Sequence, residues 1–119
     1  VTVWPKKACN KTEAGIVYVD RSRCVRCKYC IPSCPYDARF FNHELGVAEK
    51  CTFCLPRIAD GLEPACATTC PGNVRVFGDI NNPASEISMV LREAKENKQK
   101  VWKLREDLGT MPNIYYIQK

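Results

Sequence analysis

Long apolar runs are missing from this 119-residue chain. A membrane-spanning helix needs about 20 consecutive apolar residues, so none is expected. No charged-then-apolar segment opens the sequence as given. Low-complexity tracts are absent as well. Histidine occurs once and methionine twice, against nine cysteines. That cysteine density falls just short of a small disulfide scaffold, and an odd number suits complete pairing badly. The length fits one small domain, with at most a short tail.

What is present is organised by those cysteines. Residues 1–10 read as a basic, turn-like lead-in. Gly15 to Asp20 reads as a short strand of β-branched and aromatic residues. Cys24 to Pro35 is a cysteine-dense loop. Ala38 to Asn42 and Val47 to Glu49 read as two extended pieces joined around Gly46. A second cysteine block runs from Cys51 to Pro71, and Val74 to Gly78 reads as a strand ending in glycine. Further on, Asn82 is placed to cap a helix and Pro83 to open it, with Glu86 near its positive end. Ile87, Val90, Leu91 and Ala94 form one apolar face, so an amphipathic helix is expected over residues 83–98. The tail, Val101 to Leu104 and Ile114 to Ile117, reads as extended chain wrapping the domain. The fold class is α+β.

The informative pattern is Cys24, Cys27, Cys30 and Cys34, followed at once by Pro35. This is C-x2-C-x2-C-x3-C-P, the iron–sulfur run of bacterial ferredoxins. Three thiolates three residues apart on a tight loop can wrap three corners of an iron–sulfur cube, and Pro35 then turns the chain away. A stretched copy follows in Cys51, Cys54, Cys66 and Cys70, again before a proline, Pro71. The sequence thus contains an internal repeat of two cluster-binding halves.

Competing readings exist. Structural zinc explains C-x2-C pairs and would make the protein a basic nucleic-acid-binding module, but it leaves Cys30, Cys34-Pro35 and Cys70-Pro71 without a joint reason. A disulfide framework would have to pair cysteines only three residues apart or across loops. The formal charge of +5, from 18 Lys+Arg and 13 Asp+Glu, suits an internal counter-charge. Two oxidised cubane sites would carry about −2 each. Arg23, Arg26 and Lys28 either raise a cluster's potential or are ordinary surface charges. Cys9 belongs to neither run and reads as a small buried hydrophobe or a bystander thiol rather than a ligand. His43, between Asn42 and Glu44, reads as part of a surface turn. Trp102 and the aromatic tail read as packing.

With these motifs assembled, the chain resembles the ferredoxin-type [4Fe–4S] subunits of molybdopterin oxidoreductases of the dimethyl-sulfoxide-reductase superfamily, nearest the polysulfide, thiosulfate and tetrathionate reductase branches. The resembling segments are Gly15 to Asp20, Cys24 to Phe41, Lys50 to Cys54, Pro64 to Pro71, Phe77 to Pro83 and Leu108 to Tyr116. The resemblance implies a bacterial two-cluster ferredoxin-like fold with a C-terminal helix and extended tail. It divides the chain into a lead-in (1–20), a two-cluster domain (21–80) and a helix with docking tail (81–119). It implies two [4Fe–4S] clusters with crossed ligation: Cys24, Cys27, Cys30 and Cys70 for the first, Cys51, Cys54, Cys66 and Cys34 for the second. The subunit would not be catalytic. It would relay single electrons between a large molybdopterin subunit and a quinone-reactive membrane subunit or another carrier, in a membrane-associated complex on the periplasmic face. A free-standing two-cluster ferredoxin is the alternative. Family members carry a preceding ferredoxin unit ending in C-P-x-x-A, and here Trp4-Pro5-Lys6-Lys7-Ala8 holds that place. The chain is therefore expected to be either a fragment or a two-cluster form. The long spacing between Cys54 and Cys66 is expected to be a docking loop, with Arg57 and Leu62 as contact residues.

Overall fold

The structure, a computed structural model, describes residues 6–118. The chain divides into two compact units, Val1–Pro56 and Arg57–Lys119. Both helices and strands are present, as an α+β chain requires.

The first unit is built on two antiparallel ribbons. Strand β1 (Cys9–Lys11) pairs with β2 (Val17–Val19), with Cys9 opposite Val19. Gly15, at φ 88°, closes the turn between them, and its N–H donates to the Thr12 carbonyl at 2.9 Å. Strand β1 lies in the stretch read from sequence as turn-like. It forms because β2 offers it a ladder, a partner that local propensity does not report. Strand β3 (Phe40–Asn42) pairs with β4 (Val47–Glu49) around Gly46, as the sequence suggested. Asn42 Oδ1 accepts from the N–H groups of Glu44 and Leu45. Gly46, at φ 64°, takes the left-handed position that glycine adopts without steric cost. Strands β2 and β4 touch, and Ile16, Val47 and Ala48 are buried. No residue from 21 to 39 is buried. That loop is held by short turns such as Ile31 N–H to Lys28 C=O at 3.0 Å and Cys34 N–H to Ile31 C=O at 3.1 Å.

The second unit carries two short helices, α1 (Leu55–Ala59, which begins at the unit boundary) and α2 (Ala65–Thr68), then α3 (Glu86–Glu96) and a third ribbon. Helix α3 starts three residues later than the sequence suggested. Asn82 Oδ1 is spent on the Ala84 N–H in a turn, and Ser85 is the N-cap instead. The apolar face is as expected, with Ala94 buried. At the other end Lys98 is left-handed, while Gln99 N–H reaches the Ala94 carbonyl and Lys98 N–H the Lys95 carbonyl. This paired bonding is the Schellman ending of a helix. Strand β5 (Lys100–Trp102), against which α3 packs, pairs with β6 (Tyr116–Gln118). Trp102 and Tyr116 are cross-strand partners, their rings stacked with centroids 4.6 Å apart. The tail is thus a ribbon with its own cross-strand bonding rather than a single wrapped strand. No helix among the described residues is long and apolar enough to cross a membrane.

Candidate metal centre

Three of the first run's cysteines line one recess. Cys24, Cys27 and Cys30 line a single recess in the first unit, whose walls include Val19, Val25 and Ala48 and whose rim carries Lys6, Arg23 and Lys28. The cations balance the charge that thiolates bring. Cys34 is not among the residues of this recess. Arg26 and Lys28, within the run, adopt left-handed backbone conformations at φ 61° and 58°. Left-handed residues alternating with right-handed ones turn their N–H groups to one side and form concave anion sites, of which iron–sulfur sites are an example.

The second run also turns through left-handed residues, here two in succession. Phe53 and Cys54 are both left-handed, at φ 55°, and Phe53 N–H faces Cys51 Sγ at 3.4 Å. Cys66 lies on α2, whose first turn follows the fully buried Pro64. Beyond it the chain folds back on Cys70. The Val74 N–H, joined by those of Gly72 and Arg75 and by the Arg75 charge, holds the Cys70 thiol below its ordinary value against the effect of burial. Val74 to Gly78 is not a strand, contrary to the sequence expectation, and pairs with no ladder among the described residues. Hydrogen bonds to sulfur also tune cluster potentials.

One half-buried cation belongs to the site. Lys50 Nζ donates to the carbonyls of Val17, at 2.8 Å, and Cys51. Burial pushes its ammonium below the usual lysine value, with Arg39 assisting, while the thiols of Cys51, Cys34 and Cys9 pull it back up. Burial also raises the Cys30 thiol, with Arg39 opposing and Cys9, Cys24 and Cys27 adding to the rise.

In sequence Cys9 stands apart from both runs, yet in the fold it lines the same recess as Cys24, Cys27 and Cys30. Arg39 Nη1 donates to its Sγ at 3.1 Å. The signal that would have found it is the β-hairpin around Gly15, which sets Ala8 opposite the strand leading into Cys24 through the Asp20 N–H to Ala8 C=O bond of 2.7 Å. Trp4 lies outside the described residues. His43 is exposed in a turn, edge-on to Phe41 at 5.2 Å. Lys28 is exposed, and its Nζ stands 4.3 Å from the centroid of the Phe41 ring. Arg57 Nε is bound to the Glu63 carbonyl at 2.8 Å, closing its own loop, whereas Leu62 is exposed.

The donor set fits an iron–sulfur cluster. All nine cysteines are free thiols, as no disulfide framework would leave them. Among the described residues no three Cys, His, Asp or Glu side chains converge as the ligands of one ion would. The thiols of Cys9, Cys24, Cys27 and Cys30 line one recess, and thiolates are the ligands that iron–sulfur clusters take.

Comparison with known proteins agrees. The 4Fe-4S dicluster domain family matches residues 1–80. A subunit of the tetrathionate reductase of Salmonella typhimurium is 45% identical over 117 residues, covering 98% of this chain and 46% of that protein. A component of the polysulfide reductase of Wolinella succinogenes is 42% identical over 118 residues, covering 98% and 59%. A putative iron-sulfur subunit of dimethyl sulfoxide reductase from Halobacterium salinarum is 37% identical over 134 residues, covering 98% and 49%. The chain spans about half the length of these curated relatives. The two Cys-Pro runs, the thiol-lined recess and the match over residues 1–80 lead to one conclusion: this protein belongs to the family of 4Fe-4S dicluster domains.

Proposed function

We propose that this chain is the electron-transfer part of an oxidoreductase complex, holding two [4Fe–4S] clusters. It would relay single electrons between a molybdopterin-type catalytic subunit and a quinone-reactive membrane subunit or another carrier. The observation that carries this reading is the recess lined by Cys24, Cys27 and Cys30 inside the dicluster match. Cys24, Cys27 and Cys30 would supply three corners of one cluster, and Cys51, Cys54 and Cys66 three corners of the other. Cys34 and Cys70 are the closing ligands in the crossed ferredoxin scheme, each for the opposite run. In this reading the chain's own part is electron transfer and not catalysis.

When bound, such clusters supply reversible one-electron storage. The chain's own residues do the rest. Thiolates bind, left-handed loop residues aim N–H groups at anionic sulfur, and the buried Ala48 backs the recess with apolar surface. Lys28, Arg23 and Lys50 offset negative charge, which makes an added electron easier to accept. With so few buried apolar residues, ligation also replaces core packing around residues 21–39.

Purification of the untagged protein with its native partners tests the proposal. The expected result is a brown protein with iron and acid-labile sulfide, accompanied by a large molybdenum- or tungsten-containing polypeptide. Zinc without sulfide would refute the cluster reading. A lone chain passing electrons at full rate to soluble enzymes would point instead to a free ferredoxin.

A further inference from the structure

The first run brings three thiols to its recess, and a cube needs a fourth. The ferredoxin pattern assigns that corner to Cys70, which belongs to the other compact unit. The first unit already holds a candidate of its own. Cys9 lines the recess together with Cys24, Cys27 and Cys30. Its place is fixed from two directions. The ladder sets Cys9 opposite Val19 on the strand that leads straight into the run, and Asp20 N–H grips the Ala8 carbonyl beside it. The turn into Cys24 is tied in the same way, Ser22 N–H and Oγ both donating to Asp20 Oδ1. Arg39 Nη1 meets Cys9 Sγ at 3.1 Å. A guanidinium at that distance offers the counter-charge a ligating thiolate needs, and hydrogen bonds to cluster sulfurs are a normal part of such sites.

We propose that Cys9 is the fourth sulfur ligand of the cluster held by Cys24, Cys27 and Cys30, in the place the crossed scheme gives to Cys70. The inference rests on the cluster reading above and changes one of its corners. The step is ligation without redox change. The Cys9 thiol releases its proton to solvent and its sulfur lone pair forms the bond to iron. The first unit then carries a complete four-thiol set, and the strand β1 that presents Cys9 is part of the metal site.

The test uses the full chain, prepared anaerobically, as wild type and as Cys9→Ala, Cys9→Asp and Cys70→Ala. Iron, acid-labile sulfide and low-temperature electron paramagnetic resonance are measured on each. Cys9→Ala should lose about one of about eight iron atoms and show the oxidised three-iron signal. Cys9→Asp, which restores an oxygen donor, should regain the iron with an altered reduced-state spectrum. Cys70→Ala should leave the cluster of the first run intact. Full iron in Cys9→Ala, or the three-iron signal in Cys70→Ala, overturns the assignment. If the variants do not fold, alkylation of the native wild type followed by mass spectrometry decides. Cys9 protected and Cys70 labelled supports the proposal, and the reverse pattern overturns it. A wild type without iron or sulfide would instead defeat the cluster reading itself, so the two failures are distinguishable.

Discussion

Lys50 offers the sharpest test of how this chain sets an electron's energy. Its half-buried ammonium is fixed by the carbonyls of Val17 and Cys51 and lies within electrostatic reach of the Cys51 and Cys34 thiols. Removing the charge in Lys50→Met should make the adjacent cluster harder to reduce. A unit charge roughly 7 Å from another contributes about 2.4 kcal/mol at an effective dielectric of about 20. Half exposure lets solvent and salt screen about half of that, leaving about 1.2 kcal/mol. For a one-electron couple this is a fall of about 50 mV in midpoint potential. The assay is a redox titration followed by electron paramagnetic resonance, with iron content as the check that both clusters remain. Lys50→Arg keeps the charge and should stay near the wild-type potential. A shift below about 10 mV in Lys50→Met, or an equal fall in Lys50→Arg, would refute the electrostatic argument.

Three further outcomes follow from other parts of the chain. Ser85 Oγ accepts from the Ser88 N–H and donates toward the carbonyls of Asp79 and Asn82, so Ser85→Ala should weaken α3 by about 1 kcal/mol, read as faster amide exchange over residues 86–96 with cluster content unchanged. Leu62 is 52% exposed on the loop between Cys54 and Cys66. Leu62→Asp should weaken assembly with the large partner about tenfold in a pull-down titration while keeping full iron, and unchanged assembly would show that the loop is only a tolerated insert. Glu49 is held below the usual carboxylate value chiefly by the Asn42 side-chain N–H and also by Arg21, with burial opposing. A carboxylate lowered on folding adds stability that is complete above its unfolded value and is lost as pH falls through the folded one. Glu49→Gln should therefore flatten the acid-side loss of amide protection in the β3–β4 ribbon, and an unchanged acid limb would remove Glu49 from the account.

The sequence by itself determined whatever depends on spacing along the chain. The two Cys-Pro runs state the chemistry, the first most directly because its three thiolates, three residues apart, need no distant partner to form a cradle, and the second as its stretched copy. The β3–β4 hairpin was legible because Gly46 and Asn42 make its turn locally, and α3 was legible because its apolar face repeats with the helical period. Tertiary structure decided where distant groups compete for the same bonds. Val74 and Arg75 read as strand, yet no partner strand comes to pair with them among the described residues. Asn82 reads as a cap, but a turn takes its oxygen and Ser85 caps instead. Val101 and Trp102 find a ladder only because Tyr116 and Ile117 return to meet them. Cys9 gives the clearest case: as a residue in sequence it is a spare thiol, and only the β1–β2 register, a pairing between separated segments, carries it to the recess of the first run.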